Sequence, residues 1–141
     1  MNSKMRKSFI SGIAGTIVMT AFMFIGPFIG MPKMNPAEML ADMMGIPILA
    51  GWVLHFLTGI IFSASYVYLF NPKVRIGNET LKGAVFGLSV FVFAQIAMGI
   101  MGSIMGGMPE PEGSIVLLMI GSIIGHIVFG IVVALFVKGK E

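Results

Sequence analysis

The sequence predicts an all-α membrane protein with four transmembrane helices. The chain of 141 residues is 57% hydrophobic and only 11% charged, whereas a soluble domain carries about 25% charged residues. Its mean hydropathy is +0.98. Four stretches hold the ~20 mostly apolar residues that a spanning helix needs, namely residues 9–30, 47–70, 81–106 and 114–137. Because little sequence remains outside them, we expect a single transmembrane domain over residues 1–141.

The positions of the basic residues predict the orientation of the chain. Eight of the nine precede the first span, lie between the second and third, or follow the fourth: Lys4, Arg6, Lys7, Lys73, Arg75, Lys82, Lys138 and Lys140. The other side carries Lys33, Glu38, Asp42, Glu110 and Glu112. Since basic residues favour the cytoplasmic side, we expect both termini in the cytoplasm and the protein in the inner (plasma) membrane. This bias accounts for the net charge of +3, so we expect the lipid bilayer as a partner and no nucleic acid.

The first predicted span contains glycines along its length, and glycines in spanning helices allow neighbouring backbones to approach closely. Pro27 should kink this helix near its outer end. Thr20 places a hydroxyl near mid-membrane, and we expect it to bond to a backbone carbonyl one turn earlier.

The loop after the first span predicts a short amphipathic helix. Asn35 is a capping residue, Pro36 suits the first helical position, and Glu38 follows the cap by three. Gly45 then ends the helix. One face carries the apolar side chains Met39, Leu40, Met43 and Met44. We expect this helix to lie on the outer membrane surface, as a structural lid over the bundle or as a cover for a site or a docking surface.

The second and third spans carry few polar groups. Trp52 near the outer end of the second, with Tyr66 and Tyr68 near its inner end, occupy the usual interfacial places for such rings. Gln95 is the amide at depth in the third span. Because an unpaired amide in lipid is costly, Gln95 should face another helix or a cavity.

A repeated pattern joins the second and fourth spans. Residues 51–63 read GWVLHFLTGIIFS, and residues 122–134 read SIIGHIVFGIVVA. A shift of 71 residues places Gly51 on Ser122, His55 on His126 and Gly59 on Gly130. A spacing of four puts each set on one face of a helix. The only two histidines of the protein thus fall at matched positions, and the candidate site comprises His55, His126, Gly59, Gly130 and Ser122.

The same shift extends beyond the histidine helices without a gap. It places Gly12 on Gly83 and Phe22 on Phe93. The sequence therefore indicates a 2+2 parallel internal repeat, with a pseudo-axis along the membrane normal and His55 facing His126 across it. One conflict remains: His55 lies about eight residues into its span and His126 about twelve, a difference of roughly 6 Å in depth.

Four hypotheses remain open for the two histidines. They could ligate a haem b through two imidazoles, with Gly59 and Gly130 making room for the macrocycle. Together with methionines they could bind copper(I), although methionine also fills gaps in apolar interfaces. They could hydrogen-bond to neighbouring helices for structure alone, or lie on a transport path or proton relay. The outer-half methionines are Met31, Met34, Met39, Met43, Met44, Met98, Met101, Met105, Met108 and Met119.

Other site chemistry is not indicated by the sequence. Cysteine is absent, which excludes disulfides and thiolate metal sites. We expect no enzyme, because no nucleophile is paired with either histidine at a recognisable spacing.

The four spans, the capped outer segment NPAEMLADMMG and the HxxxG motif of the second and fourth spans resemble an uncharacterised family of small prokaryotic four-helix membrane proteins. The resemblance covers nearly the whole chain. It implies an electron-transfer context, because proteins of that kind are often found among terminal oxidase and other respiratory proteins.

The resulting expectation is a non-catalytic accessory or binding subunit of a respiratory membrane complex, with a haem b held by His55 and His126. Its partners would be other membrane subunits or further copies of the chain. The alternative is a small transporter, or a copper(I)-handling protein that uses the outer methionines.

Overall fold

The computed structural model describes residues 1–108 and 110–138, and over these residues it contains five helices and no strand. In chain order they are α1 (Ser3–Ile29), α2 (Pro36–Met44), α3 (Ile48–Lys73), α4 (Glu79–Met105) and α5 (Ile115–Lys138). All except α2 are long and apolar enough to cross a membrane. The prediction of an all-α protein with four candidate spans is therefore confirmed. Pro109 of the second outer loop and Lys140 of the basic side lie outside the described residues.

Local sequence signals explain where the helices begin and end. The side chains of Asn2, Asn35 and Asn78 each accept a hydrogen bond from the backbone N–H three residues later, which caps α1, α2 and α4. Gly45 and Gly106 end α2 and α4 with φ values of 62° and 93°, a conformation that favours glycine. The helix after Asn35 therefore forms where its capping signals predict it.

Two of the long helices are irregular over part of their length. The last four residues of α1, Gly26–Ile29, form a 3₁₀ turn that contains Pro27. Within α3 the segment Tyr66–Phe70 is π-helical. Tyr66 is fully buried in the core, and its hydroxyl lies 3.5 Å from Glu79 at the start of α4.

The long helices are arranged in the order α3–α1–α5–α4. Helix α1 packs against α3 on one side and α5 on the other, and α4 packs against α5. The end of the bundle where α1 begins and α5 ends, here called the terminal end, carries Lys4, Lys73 and Lys82. There the Lys4 ammonium lies 5.7 Å from the centre of the Tyr68 ring. The other end, where α2 lies, is called the lid end.

Two helix crossings are built from residues that are 71 positions apart. A Cβ on Gly12 would come within 2.7 Å of a backbone atom of α3, and one on Gly83 within 2.6 Å of backbone atoms of α5. Real Cβ atoms essentially never approach so closely, so only glycine permits either crossing. The matched contacts are Gly12 on Gly59 and Ile60, and Gly83 on Gly130 and Ile131.

Glycines also close the interface between α1 and α5. The ring of Phe129 packs over Gly15, where a Cβ would lie 2.9 Å from the ring. The methyl end of Met23 packs over Gly125, at 2.8 Å from such a Cβ. Because each helix offers a notch to a large side chain of the other, the two helices interlock.

The corresponding pair, α3 and α4, forms no extended backbone interface within the described residues. The shift of 71 places Phe86 where α1 has Gly15, and Leu54 where α5 has Gly125. The places of the two notch glycines are thus taken by bulky side chains in this pair, and aromatic rings bridge α3 and α4. Phe62 packs edge-on against Phe93 with ring centroids 5.7 Å apart.

Helix α2 packs on α3 at the lid end. A Cβ on Gly51 would lie 3.1 Å from the Cβ of Ala41, and Ala37, Ala41 and Met43 are buried. Met39 is 41% exposed, so α2 packs on α3 mainly through its alanine edge. The reason is the close approach at Gly51, which leaves room for small side chains only.

Candidate functional site

His55 lies on α3, one turn from the Gly51 notch on which α2 docks. It is 9% exposed, and its Nε2 is 3.0 Å from the hydroxyl oxygen of Thr20 on α1. The rings of Trp52 and Phe56 flank the imidazole, with centroids 6.1 and 6.0 Å away. His55 is therefore a buried link between two spanning helices, beneath a short helix.

The prediction that Thr20 bonds to a carbonyl of its own helix is wrong. Its hydroxyl instead lies within hydrogen-bond distance of the His55 imidazole, across the α1–α3 crossing. Thr16, one turn earlier, does bond to its own helix and donates to the Gly12 carbonyl at 2.8 Å. Thr16 faces Gly59, which has no side chain to bond. The residue opposite each threonine thus decides where its hydroxyl bonds.

His126 is half-buried on α5 and bonds within its own helix. Its Nδ1 donates to the Ser122 carbonyl oxygen at 2.7 Å, while the Ser122 hydroxyl lies 3.5 Å away. A ring nitrogen that donates carries the proton, so Nε2 is left as an acceptor. No hydrogen bond to Nε2 is formed by the residues that the structure describes.

The two histidines occupy matched places with different neighbours. The residue across from His126 is Phe91 on α4, with ring centroids 5.7 Å apart. Phe91 stands 71 positions after Thr20, which is the partner of His55. Each imidazole therefore faces the same position of the preceding helix, which is polar in the first pair and aromatic in the second.

A haem held by both imidazoles sets a requirement on the distance between their nitrogens. Two nitrogens on one iron must lie about 4 Å apart, at twice a metal–nitrogen bond of ~2 Å. Here His55 sits in the α1–α3 crossing and His126 in the α4–α5 crossing, while Met19 and Met23 fill the interior at 6% and 4% exposure. Within the described residues there is also no cluster of three or more histidine, cysteine, aspartate or glutamate side chains suited to a metal ion.

The glycines of the candidate site are explained by the helix crossings. A Cβ on Gly59 would overlap the Thr16 hydroxyl, and one on Gly130 would overlap the backbone of Gly83 and Gly87. The space beside each histidine is therefore occupied by a neighbouring helix.

A known protein family matches almost the whole length of the chain. The model of a family of unknown function, DUF6789, matches residues 2–139. The chain belongs to this DUF6789 family. No curated protein and no solved structure matches it. The resemblance to an uncharacterised family is confirmed to that extent, while a prokaryotic origin and a respiratory setting stay expectations.

The terminal end of this DUF6789 member holds a polar cluster that sequence reasoning missed. Lys82 is only 6% exposed and donates to the backbone carbonyl and side-chain oxygen of Asn71. The hydroxyl of Tyr66 is 3.5 Å from Glu79. One signal was available: Lys82 falls inside the predicted span 81–106 rather than before it.

The best-formed depressions on the surface of this DUF6789 member both lie on α3, and both are apolar and open. One, of about 380 Å³, is lined by Trp52, Val53, Phe56, Leu57 and Ile60. Neither is lined by a histidine.

Proposed function

We propose that the protein is a non-catalytic accessory subunit of a larger membrane complex. One observation carries the proposal: glycines close the interface between α1 and α5, whereas α3 and α4 form no extended interface within the described residues, and Phe86 and Leu54 stand there at the places of Gly15 and Gly125. An open side in so small a bundle offers a place for a helix of a partner subunit or of a second copy. Both histidines already bond within the chain, which agrees with a role without catalysis.

The absence of cysteine from the chain allows a direct cross-linking test. Thr58 is exposed on α3, and its counterpart Phe129 is the residue that closes the α1–α5 interface. Thr58→Cys in native membranes should cross-link into one discrete species, either twice the mass of the chain or joined to a partner subunit. Leu135→Cys, which is exposed on α5, is the control and should not. Equal cross-linking of both variants, or none, would contradict an accessory role through this side.

The respiratory setting rests on the resemblance alone, and a haem b between His55 and His126 is not favoured by their separate crossings. An absorption spectrum of the purified protein tests it. We expect no Soret band. A Soret band that is lost in both His55→Ala and His126→Ala would instead establish a haem site and overturn the interpretation of the histidines as internal hydrogen-bonding groups.

We also propose that the two helix pairs, α1–α3 and α4–α5, are copies of one two-helix unit. The matched crossings at Gly12 and Gly83 support this, as does the common position that both histidines face. The unequal depth of the histidines is accounted for by α5, which begins at Ile115, four residues before the counterpart of Ile48.

The terminal end is the side that we assign to the cytoplasm of a cell whose inner membrane holds the protein. The basic residues at this end support the assignment. A reporter that works only in the cytoplasm should be active when it is fused to the carboxyl terminus. Activity of a periplasmic reporter at the same place would contradict this orientation.

Copper(I) handling is the second candidate, and one cluster favours it. A Cβ on Gly121 would lie 2.8 Å from the Met34 sulfur and 3.1 Å from the Met31 methyl group, so two thioether side chains meet at the lid end. Thioethers suit copper(I). Met31→Leu and Met34→Leu preserve the packing and should weaken copper(I) binding in a competition titration, whereas Met105→Leu should not. Unchanged affinity in all three would leave the methionines as packing residues.

A further inference from the structure

The buried lysine of the terminal end has an incomplete set of partners. Lys82 lies in the first turn of α4, and its ammonium donates to the Asn71 carbonyl oxygen at 3.2 Å and to the Asn71 side-chain oxygen. An ammonium has three N–H donors, and no third acceptor is found in the part of the chain that the structure describes. One donor is therefore free for another group.

No carboxylate of the described residues forms an ion pair with Lys82. Within residues 1–108 and 110–138 the ion pair that forms is Lys33 with Glu38, at the lid end. Glu79, in the same turn of α4 as Lys82, instead accepts from the Tyr66 hydroxyl. Burying a charge without an opposite charge is costly, so an anion from outside the chain would stabilise this end.

The charges around Lys82 favour an anion. Lys73 ends α3 and Arg75 follows in the loop to α4, and both side chains are exposed. With Lys82 they make three positive charges against the single negative charge of Glu79. Basic pockets between transmembrane helices attract anionic lipid headgroups in this way.

An exposed apolar surface begins beside Lys82 at Leu81 and continues along α4 through Val85, Leu88 and Val92 to Phe93. Phe93, 60% exposed, packs against Phe62 of α3. Eleven residues of α4 separate Lys82 from Phe93, which corresponds to about 16 Å along the helix. This is close to half of a bilayer core of ~30 Å, the depth that one acyl chain occupies.

We propose that the junction of α3 and α4 binds an anionic phospholipid, with its phosphate on Lys82 and one acyl chain along the surface between Lys82 and Phe93. The site joins a buried cation, which no carboxylate of residues 1–108 and 110–138 pairs with, to an apolar surface of the length of a lipid tail. It lies on the α3–α4 side that the proposed accessory role also uses, in the half of that side nearest the terminal end, and it needs no partner subunit.

Lipid retention by the purified protein tests the proposal. Native mass spectrometry in detergent should detect phosphatidylglycerol on the wild-type protein in preference to phosphatidylcholine. Lys82→Met should lower retention about fivefold, the scale expected for one basic residue near an anionic lipid. Lys138→Met removes the same charge from an exposed site at the same end and should retain lipid as the wild type does.

Two outcomes would overturn the proposal. One is equal retention of phosphatidylglycerol by Lys82→Met and the wild type. The other is displacement of the lipid by excess inorganic phosphate, which would mark a free-anion site. If Lys82→Met fails to fold, a photoreactive phosphatidylglycerol should label wild-type peptides from the stretch 71–93, and even labelling of all four long helices would contradict the site.

Discussion

The two helix pairs, α1–α3 and α4–α5, cross in the same way but use their polar groups differently. In both, a glycine lies against the backbone of the next helix, at Gly12 and at Gly83. His55 then bonds across the crossing to Thr20, whereas His126 bonds to the Ser122 carbonyl of its own helix. The difference teaches that small residues fix where the helices cross, while a single opposing side chain decides what each histidine does.

The largest expected effect is the loss of stability when alanine replaces a glycine one turn after a histidine, and it should differ between Gly130 and Gly59. Gly130→Ala would drive a Cβ into the backbone of α4, which cannot move aside, so we expect a loss of stability at the upper end of the ~1–3 kcal/mol typical of overpacking. Gly59→Ala meets mainly the Thr16 hydroxyl and should cost less. Thermal unfolding in detergent measures both.

Gly99→Ala is the matched control for these substitutions. Gly99 lies on α4, and a Cβ there would have no neighbour within 4 Å. Alanine is favoured over glycine in a helix by roughly 0.5–1 kcal/mol, so this variant should be unchanged or slightly more stable. A similar loss at Gly99 and Gly130 would show that the crossing does not depend on contact at Gly130.

The second-largest expected effect on stability comes from Thr16→Ala, which makes one position of the first helix pair almost as small as its counterpart in the second. Thr16 lies 71 positions before Gly87, so Thr16→Ala removes the hydroxyl that blocks Gly59→Ala. The double variant should recover about 1–2 kcal/mol relative to the sum of the single effects, because contacting residues are not additive. Unfolding of the four proteins in one detergent completes the cycle. Simple additivity would mean that Thr16 and Gly59 do not contact each other.

A smaller effect separates the two histidine environments. Thr20→Val keeps the side-chain shape but leaves His55 Nε2 without its partner, at a cost of about 1 kcal/mol. Ser122→Ala is the control for the second pair, because the main bond of His126 is to the Ser122 backbone carbonyl, and it should change stability by less than about 0.5 kcal/mol. The reverse order in unfolding experiments would refute these assignments.

The four long apolar helices and the short capped helix could be predicted because both depend on local patterns. Hydrophobic length defines a spanning helix, and the Asn35 cap and the Gly45 stop act within a few residues. The spacing of His55 and Gly59 likewise puts them on one face whatever the neighbours are.

Partners across the bundle could not be predicted in the same way. The bond of Thr20 to His55 joins residues 35 positions apart, and no local pattern states which helix faces which. Lys82 was counted only as a basic residue at a helix end, although the π-helical turn that precedes Asn71 brings the two together. The burial of Tyr66 depends likewise on Phe86 of α4, with ring centroids 5.0 Å apart, a contact that no local pattern indicates.

The smallest expected effect concerns a hydroxyl pair that only the first helix pair has. Ser11 and Ser63 are buried, with their hydroxyl oxygens 2.7 Å apart, and their counterparts are Lys82 and Ala134. Hydrogen bonds between membrane helices contribute about 0.6 kcal/mol on average, so a cycle of Ser11→Ala, Ser63→Ala and both should give a coupling of that size. Ser103→Ala on α4, an exposed serine bonded to its own helix, should leave stability unchanged. Because Ala134 already stands without a hydroxyl in the second pair, a coupling well above 1 kcal/mol would mean that polar bonds, rather than glycines, hold the first crossing together.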